Sequence, residues 1–129
     1  MKAYWDSSAL VEACNNPQIK ARLETERAYT RPHALAETFA SLTGNPATRI
    51  DADSAARILE RLALSLDFVD LSGAEVVTAL KNARARGVRG GRVHDYLHAV
   101  AAEKSGAKTI LTLDKNDFAD LTGLKIEQA

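Results

Sequence analysis

The feature that most constrains the fold is a short apolar run near the carboxyl end of the chain, residues 109–113, with the sequence Thr-Ile-Leu-Thr-Leu. It is nearly continuous in apolar and β-branched side chains and does not alternate strictly with charged residues. Such a run is typical of a strand that is buried on both faces, and strands of this kind occur in parallel sheets covered by helices. The run therefore predicts an α/β protein.

Short strand-like segments alternate with helix-period segments along the rest of the chain, as expected for β-α units around a parallel sheet. Tyr4-Trp5 is predicted to end a first strand and to turn into a helix capped by Ser7 or Ser8. Residues 68–71 form a plausible second strand, and residues 124–127 alternate like a weak edge strand. Helix starts are expected at Asn16-Pro17, Pro32, Asp51 or Asp53, Ser72 with Glu75, and Val93; helix ends are expected at Gly44, Gly87 and Gly106.

Composition limits the class of protein. A length of 129 residues with 46% hydrophobic side chains fits a single domain, residues 1–129. The 17 basic and 17 acidic residues cancel, so any affinity for nucleic acid must come from local patches. The apolar runs are far too short to cross a bilayer, and Asp6 interrupts any signal-peptide core. With Cys14 as the single cysteine, we expect a cytoplasmic protein.

Two acidic residues follow predicted strands. Asp6 comes directly after the first strand, and Asp114 directly after the apolar run. Parallel strands present their carboxyl ends along one edge of a sheet, which is where ligands bind in open α/β folds. The two carboxylates are therefore expected at one edge, although each could equally cap the helix or turn that follows it.

Two further acidic residues lie on predicted helices. Asp95 is the only clearly charged residue between positions 93 and 102, and both faces of that helix look buried. A carboxylate there needs compensation from the helix N-terminus, from His98 or from a metal ion, and a capping Asp paired with His98 is the simpler alternative. Glu37 lies off the stripe formed by Leu35 and Phe39, so its helical phase alone indicates a solvated side chain.

Four segments together resemble the motifs of PIN-domain ribonucleases, most closely those of bacterial VapC-type toxins. The segments follow the family order over the whole chain: Asp6 to Val11, Ala36-Glu37, His94 to Ala99, and Thr112 to Phe118. The resemblance implies a three-layer α/β/α domain with a mainly parallel sheet of about five strands. It also implies RNA cleavage, one or two Mg²⁺ or Mn²⁺ ions, a cognate antitoxin and a homodimer.

The resemblance assigns four acidic positions to catalysis and metal binding, which are Asp6, Glu37, Asp95 and Asp114. Asp117 is a further candidate, because the family position at Asp114 can be Asn while an Asp before Phe recurs. Carboxylate oxygens suit Mg²⁺, a hard cation that keeps several waters. The Ser or Thr that follows the first Asp in the family corresponds to Ser7 or Ser8, and neither receives a catalytic role.

A basic segment and a histidine pair give two additional hypotheses. Residues 81–92 contain five Lys or Arg and no acidic residue, which favours contact with an RNA backbone through Arg89 and Arg92; the cations nearer the helix end are explained equally well by its dipole. His94 and His98 have a spacing that can chelate zinc, but the sequence lacks HExxH and a nearby thiol.

Two other functions remain open at this level. A receiver-like signalling domain also gathers carboxylates and Mg²⁺ at a sheet edge, and here Asp70 would have to accept the phosphoryl group. A non-catalytic RNA-binding relative is disfavoured, because four acidic side chains without a metal would repel phosphate.

Overall fold

The computed structural model describes residues 2–129, whose centre is a five-stranded sheet. Its strands are β1 (Ala3–Trp5), β2 (Ala28–Thr30), β3 (Leu66–Phe68), β4 (Thr109–Thr112) and β5 (Lys125–Gln128). They lie in the order β3-β2-β1-β4-β5, and all four pairings are parallel. The central strand β1 pairs Tyr4 with Tyr29 on one side and with Ile110 on the other.

Six helices connect these strands. They are α1 (Ser7–Asn15), α2 (Pro17–Glu26), α3 (His33–Gly44), α4 (Ala52–Ala63), α5 (Gly73–Lys81) and α6 (Val93–Ser105). Short 3-10 turns occupy Ala83–Arg86, Gly90–Arg92 and Lys115–Phe118. No helix of residues 2–129 is long and apolar enough to span a membrane.

The sheet is buried on both faces because successive side chains of a strand point to opposite sides. Trp5 and Leu111 pack on one face with buried side chains of α1, α2, α3 and α4. Tyr4 and Ile110 pack on the other face with buried side chains of α5 and α6. The predicted three-layer α/β/α fold with a five-stranded sheet is confirmed, and so is the double burial of β4.

Several local predictions are confirmed at the level of single hydrogen bonds. The Asn16 side chain caps α2, whose first residue is Pro17. Ser72 and Glu75 form both bonds of a capping box at the start of α5. Gly106 ends α6 in the left-handed conformation, with φ +83°. These signals succeed because they satisfy helix-end N–H and C=O groups locally, independently of tertiary packing.

Other local predictions are wrong. Strand β2 lies in a segment predicted only to enter a helix. Helix α2 ends at Glu26, the next residue Arg27 has φ +59°, and the three residues that follow it suffice for strand pairing. Strand β3 begins two residues before its predicted start and ends at Phe68 instead of Leu71. Helix α5 ends at Lys81 instead of about Arg86, and the 3-10 turn that follows ends at Arg86, with Gly87 as the next residue. Helix α1 is capped by Asp6 and not by Ser7 or Ser8.

We predict that Gly106→Ala destabilises the protein by about 1 kcal/mol, because an L side chain is strained at positive φ. No atom lies within 4 Å of the added Cβ, so backbone strain is the cause. Gly44→Ala is the matched control, since this glycine ends α3 without positive φ and also has open space around it. There the change should stabilise by about 0.5 kcal/mol. Urea unfolding measures both, and equal effects would contradict the strain argument.

Candidate active site

The site is built at the carboxyl edge of the sheet. Asp6 follows the last residue of β1, and its backbone N–H donates to the Leu111 carbonyl of β4 over 3.2 Å. Asp114 follows two residues after the end of β4. Because β1 and β4 are neighbouring parallel strands, their ends bring residues from both ends of the sequence to one place, as the sequence predicts.

Asp6 is the most constrained carboxylate of the site, with only 4% of the residue exposed. Its Oδ1 accepts hydrogen bonds from the backbone N–H of Ala9 at 3.0 Å and from the hydroxyl of Ser8 at 2.7 Å. Its Oδ2 accepts from the hydroxyl of Thr112 at 2.7 Å. The same carboxylate therefore caps α1 and ties it to β4, so capping and a role in the site are compatible here.

Ser8 and Thr112 hold Asp6 through hydrogen bonds that their hydroxyl groups donate. Each hydroxyl has a single proton, and each donates it to Asp6. In return, the hydroxyl oxygens accept from the backbone N–H groups of Leu113 at 2.9 Å and Asp114 at 3.4 Å. The sequence analysis considered Ser8 only as a helix cap, without a catalytic role, and did not single out Thr112. Their positions could have identified them, because Ser8 lies two residues after Asp6 and Thr112 is the last residue of the buried strand β4.

Asp95 lies half-buried in the first turn of α6 and is crowded by negative charge. Burial raises its pKa to about 6, and the charges of Asp117, Asp6 and Glu37 add to this effect, while His98 opposes it. Its carboxylate has no hydrogen-bond or ion-pair partner among the described residues. The sequence predicts that a carboxylate here needs a cation or hydrogen-bond donors, and no side chain of the described residues pairs directly with Asp95.

The charge of Asp117 acts on Asp95 more strongly than that of Asp114 does. Partial burial raises the pKa of Asp117, the charges of Asp114 and Asp6 raise it further, and Arg92 lowers it. Asp117 is also the first charged neighbour that acts on Asp95. The Asp114 carboxylate instead accepts from the backbone N–H of Asn116 at 2.9 Å and caps the 3-10 turn that carries Asp117.

Glu37 is not the solvated side chain that its helical phase indicates. It is 26% exposed, and its Oε1 lies 2.6 Å from Nε2 of His98. The other ring nitrogen of His98, Nδ1, lies 2.7 Å from the hydroxyl of Tyr4. Burial raises the pKa of the Glu37 carboxyl, but the hydrogen bond to His98 and the nearby histidine charges outweigh it, so that the pKa lies below its usual value.

The same contacts correct two expectations about the histidines. His98 is bonded to Tyr4 and Glu37 and not to Asp95, so the suggested Asp95–His98 pair is absent. Both nitrogens of His98 are engaged, which leaves none for the zinc site suggested by the spacing of His94 and His98. His94 instead stacks against His33 from α3, with ring centroids 6.1 Å apart. All three histidines of the chain therefore lie around Glu37.

The two arginines predicted to bind RNA have different surroundings. Arg89 is exposed and precedes the 3-10 turn that leads into α6. Arg92 is partly buried, donates to the backbone carbonyl of Ala119, and its charge lowers the pKa of Asp117.

The sequence analysis did not single out Arg31, because it did not predict strand β2. Arg31 follows that strand, its side chain is only 12% exposed, and its buried Nε has no partner within residues 2–129.

The donor set fits a hard divalent cation. Among the described residues, no three His, Cys, Asp or Glu side chains stand close enough to share a metal ion as they are placed here. Asp95 and Asp117 nevertheless carry unpaired carboxylates with raised pKa values, next to the oriented carboxylate of Asp6. Carboxylate oxygens are the ligands that Mg²⁺ prefers, and a cation would relieve the repulsion that raises these pKa values.

The model of the PIN domain matches residues 3–124. The chain belongs to the PIN domain family. Members of this family are generally nucleases. The match includes every residue assigned to the candidate site, from Asp6 to Asp117.

Two solved structures share this PIN fold. One is a chain of VapBC2 from Rickettsia felis, bound to a DNA fragment from its promoter: it is 17% identical, covers 100% of this chain and 99% of that chain, and has a TM-score of 0.71. The other is PAE2754 from Pyrobaculum aerophilum, which is 22% identical, covers 98% of this chain and 88% of that chain, and has a TM-score of 0.72. No curated protein matches the chain significantly.

We predict that the stability of the metal-free protein falls more steeply with pH than that of Asp95→Asn. The folded-state pKa of Asp95, about 6, lies above the value of about 3.9 for an unfolded chain. The folded state therefore binds more protons between these values, and stability is lost as the pH rises from about 4 through 6. Solvent screening of a half-buried group reduces the difference to about 1 kcal/mol.

Urea unfolding in EDTA at pH 4, 5, 6 and 7 measures this difference. Asp53→Asn is the control, because it makes the same chemical change at an exposed position of α4. Parallel pH profiles for wild type and Asp95→Asn would show that the carboxylates do not crowd one another in solution.

Proposed function

We propose that this PIN domain is a metal-dependent endoribonuclease of the VapC toxin type, which hydrolyses phosphodiester bonds in cellular RNA. The observation that carries the proposal is the crowding of unpaired carboxylates at the carboxyl edge of the sheet, where the pKa of Asp95 rises to about 6. Such a site is electrostatically costly by itself and is suited to a bound cation.

The residues that would hold Mg²⁺ or Mn²⁺ are Asp6, Glu37 and Asp95, together with Asp114 or Asp117. Of the last two, we favour Asp117, because its charge raises the pKa of Asp95 and the charge of Asp6 raises its own pKa. When bound, a divalent ion supplies an activated water and neutralises charge that develops on the phosphate. The three hydrogen bonds to Asp6 hold its carboxylate in one orientation, which favours binding since little freedom is left to lose.

RNA binding requires a local positive surface, because the chain has no net charge. We assign a phosphate contact to Arg89, which is exposed and lies six residues before Asp95. Arg92 remains a candidate, but its hydrogen bond to the carbonyl of Ala119, the residue that follows the turn at residues 115–118, indicates that it also supports this turn. Phosphate contacts of this kind give affinity without base specificity.

We also propose a cognate antitoxin, a homodimer and a cytoplasmic location. The fold shared with a chain of the VapBC2 assembly supports the antitoxin. Exposed Val77 and Leu80 on α5 give the surface an apolar area that a second copy could cover. A lone cysteine fits a reducing compartment.

No structural observation favours the receiver-like alternative. Asp70 follows the edge strand β3, has a side chain that is 57% exposed, and pairs with Arg31 over 3.5 Å. It contributes to neither of the raised carboxylate pKa values in the cluster. A non-catalytic relative would bind RNA without cleaving it, so the RNA cleavage assay distinguishes it from a nuclease.

We predict that Asp6→Asn and Asp95→Asn each lower RNA cleavage in Mg²⁺ or Mn²⁺ by at least about 100-fold, because each removes a proposed metal ligand. Asp114→Asn should have the same effect if it is a ligand, and Glu37→Gln should follow. The measurement is cleavage of fluorescent RNA by the purified proteins, with and without EDTA.

Asp53→Asn should cleave RNA like wild type, and circular dichroism should show that all variants are folded. Cleavage by Asp95→Asn at the wild-type rate would remove this residue from the site. RNA binding by wild type without any cleavage, in either metal, would favour the non-catalytic relative.

A second prediction concerns phosphate contacts. In the Asp95→Asn background, Arg89→Ala should weaken binding of single-stranded RNA and reduce the slope of log K against log salt by about 0.7, the value for one released counterion. Arg57→Ala is the matched control, since Arg57 lies on α4, on the opposite side of the sheet from α6. Fluorescence anisotropy at several salt concentrations measures the slope, and an unchanged slope for Arg89→Ala would contradict this assignment.

A further inference from the structure

We propose that Tyr4 and His98 form a positioning pair that sets the carboxylate of Glu37 for metal binding. The pair is defined by these two residues and does not itself touch the metal or the RNA. This inference rests on the proposed function. It gives Tyr4 a first role, and it gives His98 a role other than the Asp95 pairing and the zinc binding considered from the sequence.

The pair is a continuous chain of short hydrogen bonds that begins inside the sheet. Tyr4 belongs to the central strand β1 and is fully buried. Its hydroxyl lies 2.7 Å from Nδ1 of His98, which is 2% exposed on α6, and the two rings meet edge to face with centroids 5.8 Å apart. Nε2 of His98 then lies 2.6 Å from Oε1 of Glu37 on α3.

The direction of the protons follows from the donors and acceptors present. An ionised carboxylate only accepts hydrogen bonds, so Nε2 of His98 must carry a proton and donate it to Glu37. In the neutral imidazole, Nδ1 is then an acceptor, and the Tyr4 hydroxyl donates a hydrogen bond to it. Tyr4 thereby selects the tautomer of His98 that can hold Glu37. If Tyr4 did not donate to it, the ring could carry its proton on Nδ1 and turn a lone pair toward the carboxylate.

The consequence for Glu37 is a restricted orientation. Glutamate has several freely rotating bonds, and at a position that is 26% exposed it would otherwise sample solvent. One oxygen, Oε1, is held by His98, while Oε2 has no hydrogen-bond partner among residues 2–129. Glu37 stays near enough to raise the pKa of Asp95. The free oxygen is therefore available at the carboxylate cluster.

The position of His98 on its helix distinguishes positioning from simple packing. Asp95 and His98 are three residues apart on α6, so one helix both presents a candidate metal ligand and holds a second one from α3. A histidine required only for packing could satisfy Nε2 with a backbone carbonyl. Instead its partner is a partly exposed carboxylate that water could solvate. Hydrogen-bond partners of ligating carboxylates typically contribute about 10- to 100-fold to metal affinity.

The test uses the full chain and measures Mn²⁺ affinity by electron paramagnetic resonance. His98→Leu removes the donor and should weaken Mn²⁺ binding about 10- to 100-fold. His98→Gln has a similar volume and keeps an N–H donor, so it should recover most of the affinity. Tyr4→Phe removes only one hydroxyl and should weaken binding about 3- to 10-fold. Tyr96→Phe is the matched control, because this buried tyrosine on α6 donates to the Ala79 carbonyl, remote from Glu37.

Two further readouts separate positioning from loss of structure. Long-range ¹H–¹⁵N spectra of the metal-free protein should show His98 protonated at Nε2, and Tyr4→Phe should show a mixture of tautomers. In RNA cleavage, Tyr4→Phe should lower kcat and leave KM unchanged, since neither residue contacts RNA. Tyr96→Phe should change neither the spectrum nor kcat.

The outcomes distinguish this inference from the proposed function. If wild type neither binds Mn²⁺ nor cleaves RNA, the proposed function fails and the inference fails with it. If wild type binds Mn²⁺ and folded His98→Leu binds it equally well, the inference alone is overturned. Protonation of His98 at Nδ1, or equal effects of Tyr4→Phe and Tyr96→Phe, would also overturn it.

Discussion

The buried carboxylate of Asp6 is the interaction on which the rest of the structure depends. An ionised carboxylate at 4% exposure is tolerated only because it accepts three hydrogen bonds, from a helix N-terminus and two hydroxyls. These bonds begin α1 at the end of β1 and bind both elements to the end of β4. Their loss would leave a buried charge unpaired at the carboxyl end of the central strand, which costs more than the hydrogen bonds contribute.

A second constraint is that the short strand β1 must supply side chains to the cores on both faces of the sheet. In β1 the neighbouring residues Tyr4 and Trp5 point into opposite cores, and both are almost fully buried. Trp5 fills the side covered by α1 to α4, where it packs in a cluster of buried hydrophobic side chains. Tyr4 lies on the side of α6 and carries a hydroxyl, so that core needs a polar partner, and His98 supplies it. The series of hydrogen bonds that reaches Glu37 thus begins at a buried hydroxyl that needs a partner inside the core.

Much of the fold could be predicted from the sequence because several of its signals are local. The apolar run of β4, the Asn16-Pro17 start and the Ser72–Glu75 capping box depend on few neighbours. Strand β2 could not be predicted, since its three residues pair only because β1 and β3 lie beside it. The predicted strand ends placed Asp6 and Asp114 at the carboxyl edge of the sheet, which is where the structure has them. Helical phase misplaced Glu37, because its partner His98 lies 61 residues away.

The order of the strands also bears on how the protein emerges during synthesis. Asp6 and its partner Thr112 are separated by 106 residues, and β1 pairs with β4 only through contacts of similar separation. Such contacts form late, because the entropy of closing a long loop must be overcome before they contribute. A ribosome-bound chain that has not yet released β4 therefore lacks the hydroxyl that holds Asp6. A partially synthesised chain therefore cannot form the complete carboxylate site. The site forms only when translation of this region is almost finished.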